Sequence, residues 1–299
     1  MRFGLTSPIV TLTPRGHGPW ESDAGPAELR RVAEAADRLG YAHLTCSEHV
    51  GIPREVSATR GSRYYDPLAT FGYLSAFTER IRFATHVLVL PYHHPLEIAK
   101  RYGTLDRICG GRLILGVGVG SLEEEFQLLG AGFEDRGPRY EDGLRALRAA
   151  LAGPEPSYEG SHFTFDGFVI DPSAEQERIP IWIGGRSARS LRRAVQFADG
   201  WDPFGLGREE LGRMLAAAKA SDAWRERAER GERLELVFQP ERAFDLSTGQ
   251  GLDIALGLCR DYADLGATVL SLRFKSATLS GFLDQLEICA EKIFPEFQA

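Results

Sequence analysis

Short apolar runs alternate with stretches of helical periodicity eight times along this 299-residue chain, and that alternation limits the fold more than any other feature. Strands are predicted over residues 3–7, 43–49, 81–90, 112–120, 179–185, 200–203, 234–238 and 268–274. Helices are predicted over 27–39, closed by Gly40; over 67–77, capped by Asp66; from Pro95 onward; over 140–151; and over 188–197, 209–228, 254–265 and 279–293. Eight such units in this length is the count of an α/β fold of the single (β/α)8 TIM-barrel type, expected as one domain over residues 1–299. Residues 157–171 alternate aromatic and polar side chains around Gly160 and Gly167, and read as a hairpin inserted after the fourth strand. A two-domain dinucleotide fold is the rival. Against it, Gly116, Gly118 and Ser121 break the G-x-G-x-x-G spacing, and these glycines lie on the fourth strand, not the first.

Charge narrows the partners. Lys+Arg 35 against Asp+Glu 42 gives a net charge of -7 with no basic cluster, which disfavours nucleic acid and anionic membrane and leaves a small soluble molecule. The first residues reach Ser7-Pro8 too soon for a signal-peptide core, and the apolar run 113–120 falls far below the ~18 residues of a membrane helix. Cys46, Cys109, Cys259 and Cys289 show no C-x-x-C spacing and read as structural thiols. A cytoplasmic protein is expected.

Barrel active sites lie at the C-terminal ends of the strands. Glu48 and His49 finish the second strand, where alternation aims them differently; either His49 serves as acid or base, or Glu48 merely orients it. His86 lies inside the third strand among apolar neighbours and needs a partner or a ligand. His93, His94 and Glu97 suggest a metal site, with helix capping by His94 before Pro95 as the competing role. Gly116, Gly118 and Gly120 remove side chains, either for crowding in the barrel or for something flat at the backbone. Gly184-Gly185-Arg186-Ser187 follows a buried strand and opens a helix, the geometry of a phosphate site or of a tight turn. Arg273 and Lys275 alternate with apolar residues at the end of the eighth strand and are placed to hold an anionic substrate or cofactor tail.

These residues also carry a resemblance. Ser47-Glu48-His49-Val50, the stretches 82–91 and 110–120, Leu105-Asp106, Glu124-Glu125-Phe126, the stretch 180–187 and Asp199-Gly200-Trp201 together resemble the luciferase-like monooxygenase superfamily, and within it the subgroup dependent on the deazaflavin coenzyme F420. The resemblance implies a flavin-shaped ring against a bulge in the third strand, with a non-proline cis peptide at His86-Val87. The implied cofactor contacts are Glu48, Thr85, His86, Val87, Gly118, Val119 and Gly120, with the phosphate on Gly184, Gly185 and Arg186. Glu48 and His49 are the implied catalytic pair, and Arg273 and Lys275 the expected substrate-binding residues. Two positions depart from the family pattern: Glu48 stands where Asp is commoner, and Ser121 stands where relatives usually carry Trp or an acid, so no proton donor carries over from there. The implied reaction is hydride transfer between F420 and an unidentified small organic substrate. Alternatives are an FMN-dependent monooxygenase of the same superfamily, a metal-dependent barrel hydrolase using Glu48, His49, His93 and His94, and a non-catalytic flavin-binding relative. A homodimer is implied by analogy.

Overall fold

The computed structural model of the chain describes residues 1–14 and 16–297. Eight parallel strands form its centre: β1 (Arg2–Leu5), β2 (His43–Cys46), β3 (Arg82–Thr85), β4 (Leu113–Gly118), β5 (Ile181–Gly184), β6 (Gly200–Asp202), β7 (Glu235–Phe238) and β8 (Val269–Leu272). Each pairs with the next, and β8 returns to β1 with Val269 beside Arg2 and Leu272 beside Leu5, closing the barrel. This is the predicted (β/α)8 architecture, and closure removes the open-sheet dinucleotide fold.

Strands buried on both faces read as continuous apolar runs, and β4 is buried at all six positions. Ala84, Ile114, Trp182, Val237 and Val269 fill the barrel interior. His43 joins them: a Cβ on Gly4 would lie 2.1 Å from His43 Cε1, so only glycine admits the ring there. His43 Nε2 sits 2.9 Å from Ser271 Oγ, and burial drives its pKa down to about 3, so the ring is neutral.

Helices cover the outside. α1 (Pro26–Leu39) buries Leu29, Val32, Ala33 and Ala36 on one face and ends at Gly40, whose φ is 83°. Burying each Leu or Val of such a face contributes about 1.5–3 kcal/mol. Asp66 accepts from the Ala69 amide at 2.8 Å and opens α2 (Pro67–Ser75), and His94 Nδ1 accepts from the Leu96 amide at 3.2 Å and opens α3 (Pro95–Ile108). α4 (Glu123–Leu129) and α5 (Arg136–Ala150) follow β4; Tyr158–Glu159 and Thr164–Phe165 then pair antiparallel as the inserted hairpin.

Two predicted elements differ. The helix expected over 209–228 is divided into Arg208–Lys219 and Asp222–Glu229, because Ser221 Oγ accepts from the Trp224 amide at 3.3 Å and starts a new helix. The strand expected over 81–90 is broken after Thr85 and resumes only at Leu88–Val89. Among the described residues, no helix is long and apolar enough to cross a membrane.

Candidate active site

The break in β3 is a bulge. Ala84 lies beside Ile114, and pairing with β4 resumes with Leu88 beside Val117, so four steps on the third strand match three on the fourth. The His86-Val87 peptide within it is cis. Val87 turns into the barrel mouth: a Cβ on Gly118 would lie 2.5 Å from Val87 Cγ2, and one on Gly184 2.5 Å from Val87 Cγ1. The glycines thus make room for the bulge itself. Thr85 is fully buried, its hydroxyl donating to the Gly116 carbonyl at 2.7 Å, while Val119 packs partly buried on the core. Gly120, with φ 78°, lies against Phe126 and Val89.

Three histidine–carboxylate pairs surround the bulge. Glu48 does not orient His49: β2 ends at Cys46, and in the segment that follows the two side chains take different partners. Glu48 Oε1 instead lies 2.7 Å from His93 Nε2, and Oε2 accepts from the Val89 amide at 2.6 Å, tying the second strand to the far side of the bulge. His49 Nδ1 lies 2.8 Å from Glu125 Oε2 on α4, and its ring centre lies 4.5 Å from that of Tyr64 in an edge-on arrangement. His86 Nδ1 lies 2.8 Å from Asp202 Oδ2 at the end of β6, and the His86 carbonyl accepts from Ser47 Oγ at 2.7 Å.

The electrostatics follow from these partners. Burial raises the Glu125 carboxyl's pKa, but His49 and the Val50 and Gly51 amides outweigh it and hold it below the ordinary value. The Tyr92 hydroxyl donates to the same carboxylate at 3.0 Å, and burial together with that negative charge raises the phenol's pKa. For His86, burial pulls the pKa down, yet the charge and hydrogen bond of Asp202 prevail and raise it. His93 behaves likewise: burial lowers, Glu48 and then Glu97 raise, and the net direction is upward.

His94 is spent on its helix cap and lies 5.5 Å from the Phe163 ring, away from the other histidines. The four residues of the metal-hydrolase alternative therefore do not converge, and the described residues contain no group of three or more His, Cys, Asp or Glu that could hold a metal ion. Sequence reasoning missed Glu125, Tyr92 and Asp202 as partners. Asp202 carries a usable signal, since it stands at the C-terminal end of a barrel strand; Glu125 carries none beyond its place in Glu124-Glu125-Phe126.

Gly184 and Gly185 end β5, Gly185 with φ 111°, and lead into the helix Ala188–Phe197. Ser187 and Ser190 cap that helix reciprocally, the Ser190 amide donating to Ser187 Oγ at 3.2 Å and the Ser187 amide to Ser190 Oγ at 3.3 Å. Arg186 is exposed, with its guanidinium 5.8 Å from the Phe204 ring centre. Arg273 and Lys275 line a cavity of about 700 Å³ at the end of β8, together with Arg242 and Asp245. Arg273 also reaches an adjoining cavity of about 200 Å³ lined by Ser47, His86 and Gln239. The loop after β1 overhangs both. There Ile9 holds φ 73°, a left-handed conformation costly for a β-branched residue, and its amide donates to the buried Glu21 carboxylate at 2.8 Å.

Residues 1–242 match the sequence model of the family described as luciferase-like monooxygenase. The chain belongs to the luciferase-like monooxygenase family. Among its relatives, an uncharacterized protein of Mycobacterium tuberculosis is 30% identical over 200 residues, 63% of this chain and 69% of that one. The F420-dependent glucose-6-phosphate dehydrogenase of Microbacterium testaceum is 30% identical over 183 residues, 59% of this chain and 52% of that one. In three dimensions, monooxygenase RslO1 of Streptomyces bottropensis matches with a TM-score of 0.81 over 100% of both chains at 22% identity, a likeness of fold.

Proposed function

We propose that this luciferase-like protein binds coenzyme F420 at the barrel mouth and catalyses hydride transfer between it and a small organic substrate. The residues present suit such a group. The bulge brings partly exposed His86 and Val87 to the mouth, and Asp202 Oδ1 is buried beside it without a hydrogen-bond partner. Gly184, Gly185 and Arg186 precede a helix N-terminus, where backbone amides and a guanidinium suit a phosphate. The deazaflavin, when bound, supplies the carbon that gives or takes the hydride.

What this chain contributes is the proton. Hydride transfer at a carbon bearing oxygen leaves a proton to be placed on or taken from that oxygen. The observation that carries the reading is the His49–Glu125 pair: the carboxylate fixes Nδ1, and Nε2 has no hydrogen-bond partner among the described residues. His49 is therefore the proton carrier, Glu125 its positioning residue, and Glu48 the residue that secures the bulge through Val89 and His93. The 30% identity to an F420-dependent dehydrogenase supports the choice of cofactor.

Titration of purified protein with F420 and, separately, FMN, followed by ligand fluorescence, tests the proposal. Tight binding of F420 alone is the expected result, weakened by Gly185→Val. Preference for FMN replaces this reading with an oxygen-using monooxygenase, and binding of neither removes both.

A further inference from the structure

The cavity of about 200 Å³ at the barrel mouth, beside the ends of β1, β2 and β8, is lined largely by polar groups. Its charged wall residues are Glu21, His86 and Arg273, with Asp202 behind His86 and the neutral His43 deeper in the barrel. Nearly all of these charges are answered within the protein. Glu21 takes the amides of Ile9 and Gly18 at 2.8 and 2.6 Å, and Asp202 takes His86 at 2.8 Å. Arg273 is the exception: its Nε is buried without a partner, Nη2 donates only to the Pro240 carbonyl at 3.3 Å, and no carboxylate among the described residues forms an ion pair with it. A half-buried guanidinium lacking a counter-charge is costly unless an anion arrives to share it. One uncompensated cation calls for one negative charge, which a monoanionic carboxylate supplies and a dianionic phosphate exceeds. On the same cavity wall His86 keeps Nε2 without a partner among the described residues, while Asp202 holds the other side of the ring. The Gln239 amide is fixed by donating to Thr6 Oγ1 at 2.8 Å.

We propose that this cavity is the substrate subsite and that it selects a small organic carboxylate bearing a carbonyl or hydroxyl oxygen, with Arg273 taking the carboxylate and His86 orienting, by a hydrogen bond, the second oxygen whose proton His49 carries. The inference rests on the hydride-transfer reading above and names the class of its substrate.

The test uses the full chain, with and without bound cofactor, and three probes: pyruvate, acetate and inorganic phosphate. Binding is measured by calorimetry, and the histidine ring resonances are followed by NMR, with His86 assigned through His86→Gln. Pyruvate is expected to bind about tenfold tighter than phosphate and to move the His86 resonance, whereas acetate binds without moving it. Arg273→Met should weaken pyruvate binding about tenfold or more, and Arg273→Lys should keep part of it. Phosphate binding as tight as pyruvate, an unmoved His86 resonance, or undiminished pyruvate affinity in Arg273→Met overturns the proposal. If Arg273→Met does not fold, Arg273→Gln takes its place. Because the probes bind without cofactor, Arg273-dependent pyruvate binding in a protein that takes up neither F420 nor FMN sinks the hydride reading and leaves the subsite standing.

Discussion

His49 Nδ1 and Glu125 Oε2 stand 2.8 Å apart, joining the end of the second barrel strand to the helix after the fourth, and the Glu125 side chain is completely buried. Replacing His49 by Ala is expected to slow turnover by ~10²–10⁴ while leaving cofactor affinity nearly intact. Glu125→Gln keeps the shape but frees the ring, and should slow turnover by up to ~10². The double variant should be no slower than His49→Ala, as steady-state kinetics on all three will show; additive losses would mean that Glu125 acts independently of His49.

Glu125 also links stability to acid. Its folded pKa lies below its unfolded value, so its contribution is present above about 4.3 and is lost as pH falls through the folded value. Glu125→Gln, which leaves the Val50 and Gly51 amides poorly answered, should cost about 1–3 kcal/mol at pH 7. Urea denaturation should show that cost shrinking below pH 4.

The His93–Glu48 pair has the opposite sign. His93's folded pKa is raised, so its contribution is complete below the unfolded value of about 6.5 and is lost as pH rises through the folded one. His93→Gln should cost about 1.5–3 kcal/mol at pH 6 and clearly less at pH 9. Equal costs at both pH values would show that the pair holds no charge.

Steric fit at the bulge gives a rescue experiment. Gly118→Ala places a Cβ 2.5 Å from Val87 Cγ2 and should cost about 1–3 kcal/mol, with weakened cofactor binding. Adding Val87→Ala removes the clash and should restore most of both. Chemical denaturation and fluorescence titration measure the two readouts, and a double variant as impaired as Gly118→Ala would place the damage in the β4 backbone.

All four cysteines are buried, and burial pushes Cys46 and Cys259 up to about 12 and raises Cys109 and Cys289 as well. Thiolate is the reactive form, so labelling with a thiol reagent at pH 8 should proceed at the rate of unfolding. Fast labelling of any cysteine in native protein would show local opening there.

The barrel was legible because its causes are local. Alternating apolar runs and helical stretches fix the order of strands and helices, and caps such as Asp66 and His94 act within three residues of their targets. The positions of Glu48, His49, His86 and Arg273 at the mouth follow from that order alone. Partnership within the site was another matter. His49 finds Glu125 across 76 residues, His86 finds Asp202 across 116, and His93 finds Glu48 across 45. No spacing rule encodes such separations, because barrel closure brings strand ends together whatever the length of chain between them. Sequence neighbours Glu48 and His49, just beyond β2, likewise find separate partners in His93 and Glu125. The amino-acid order settles which side chains reach the mouth; the closed barrel decides which of them share a proton or a charge.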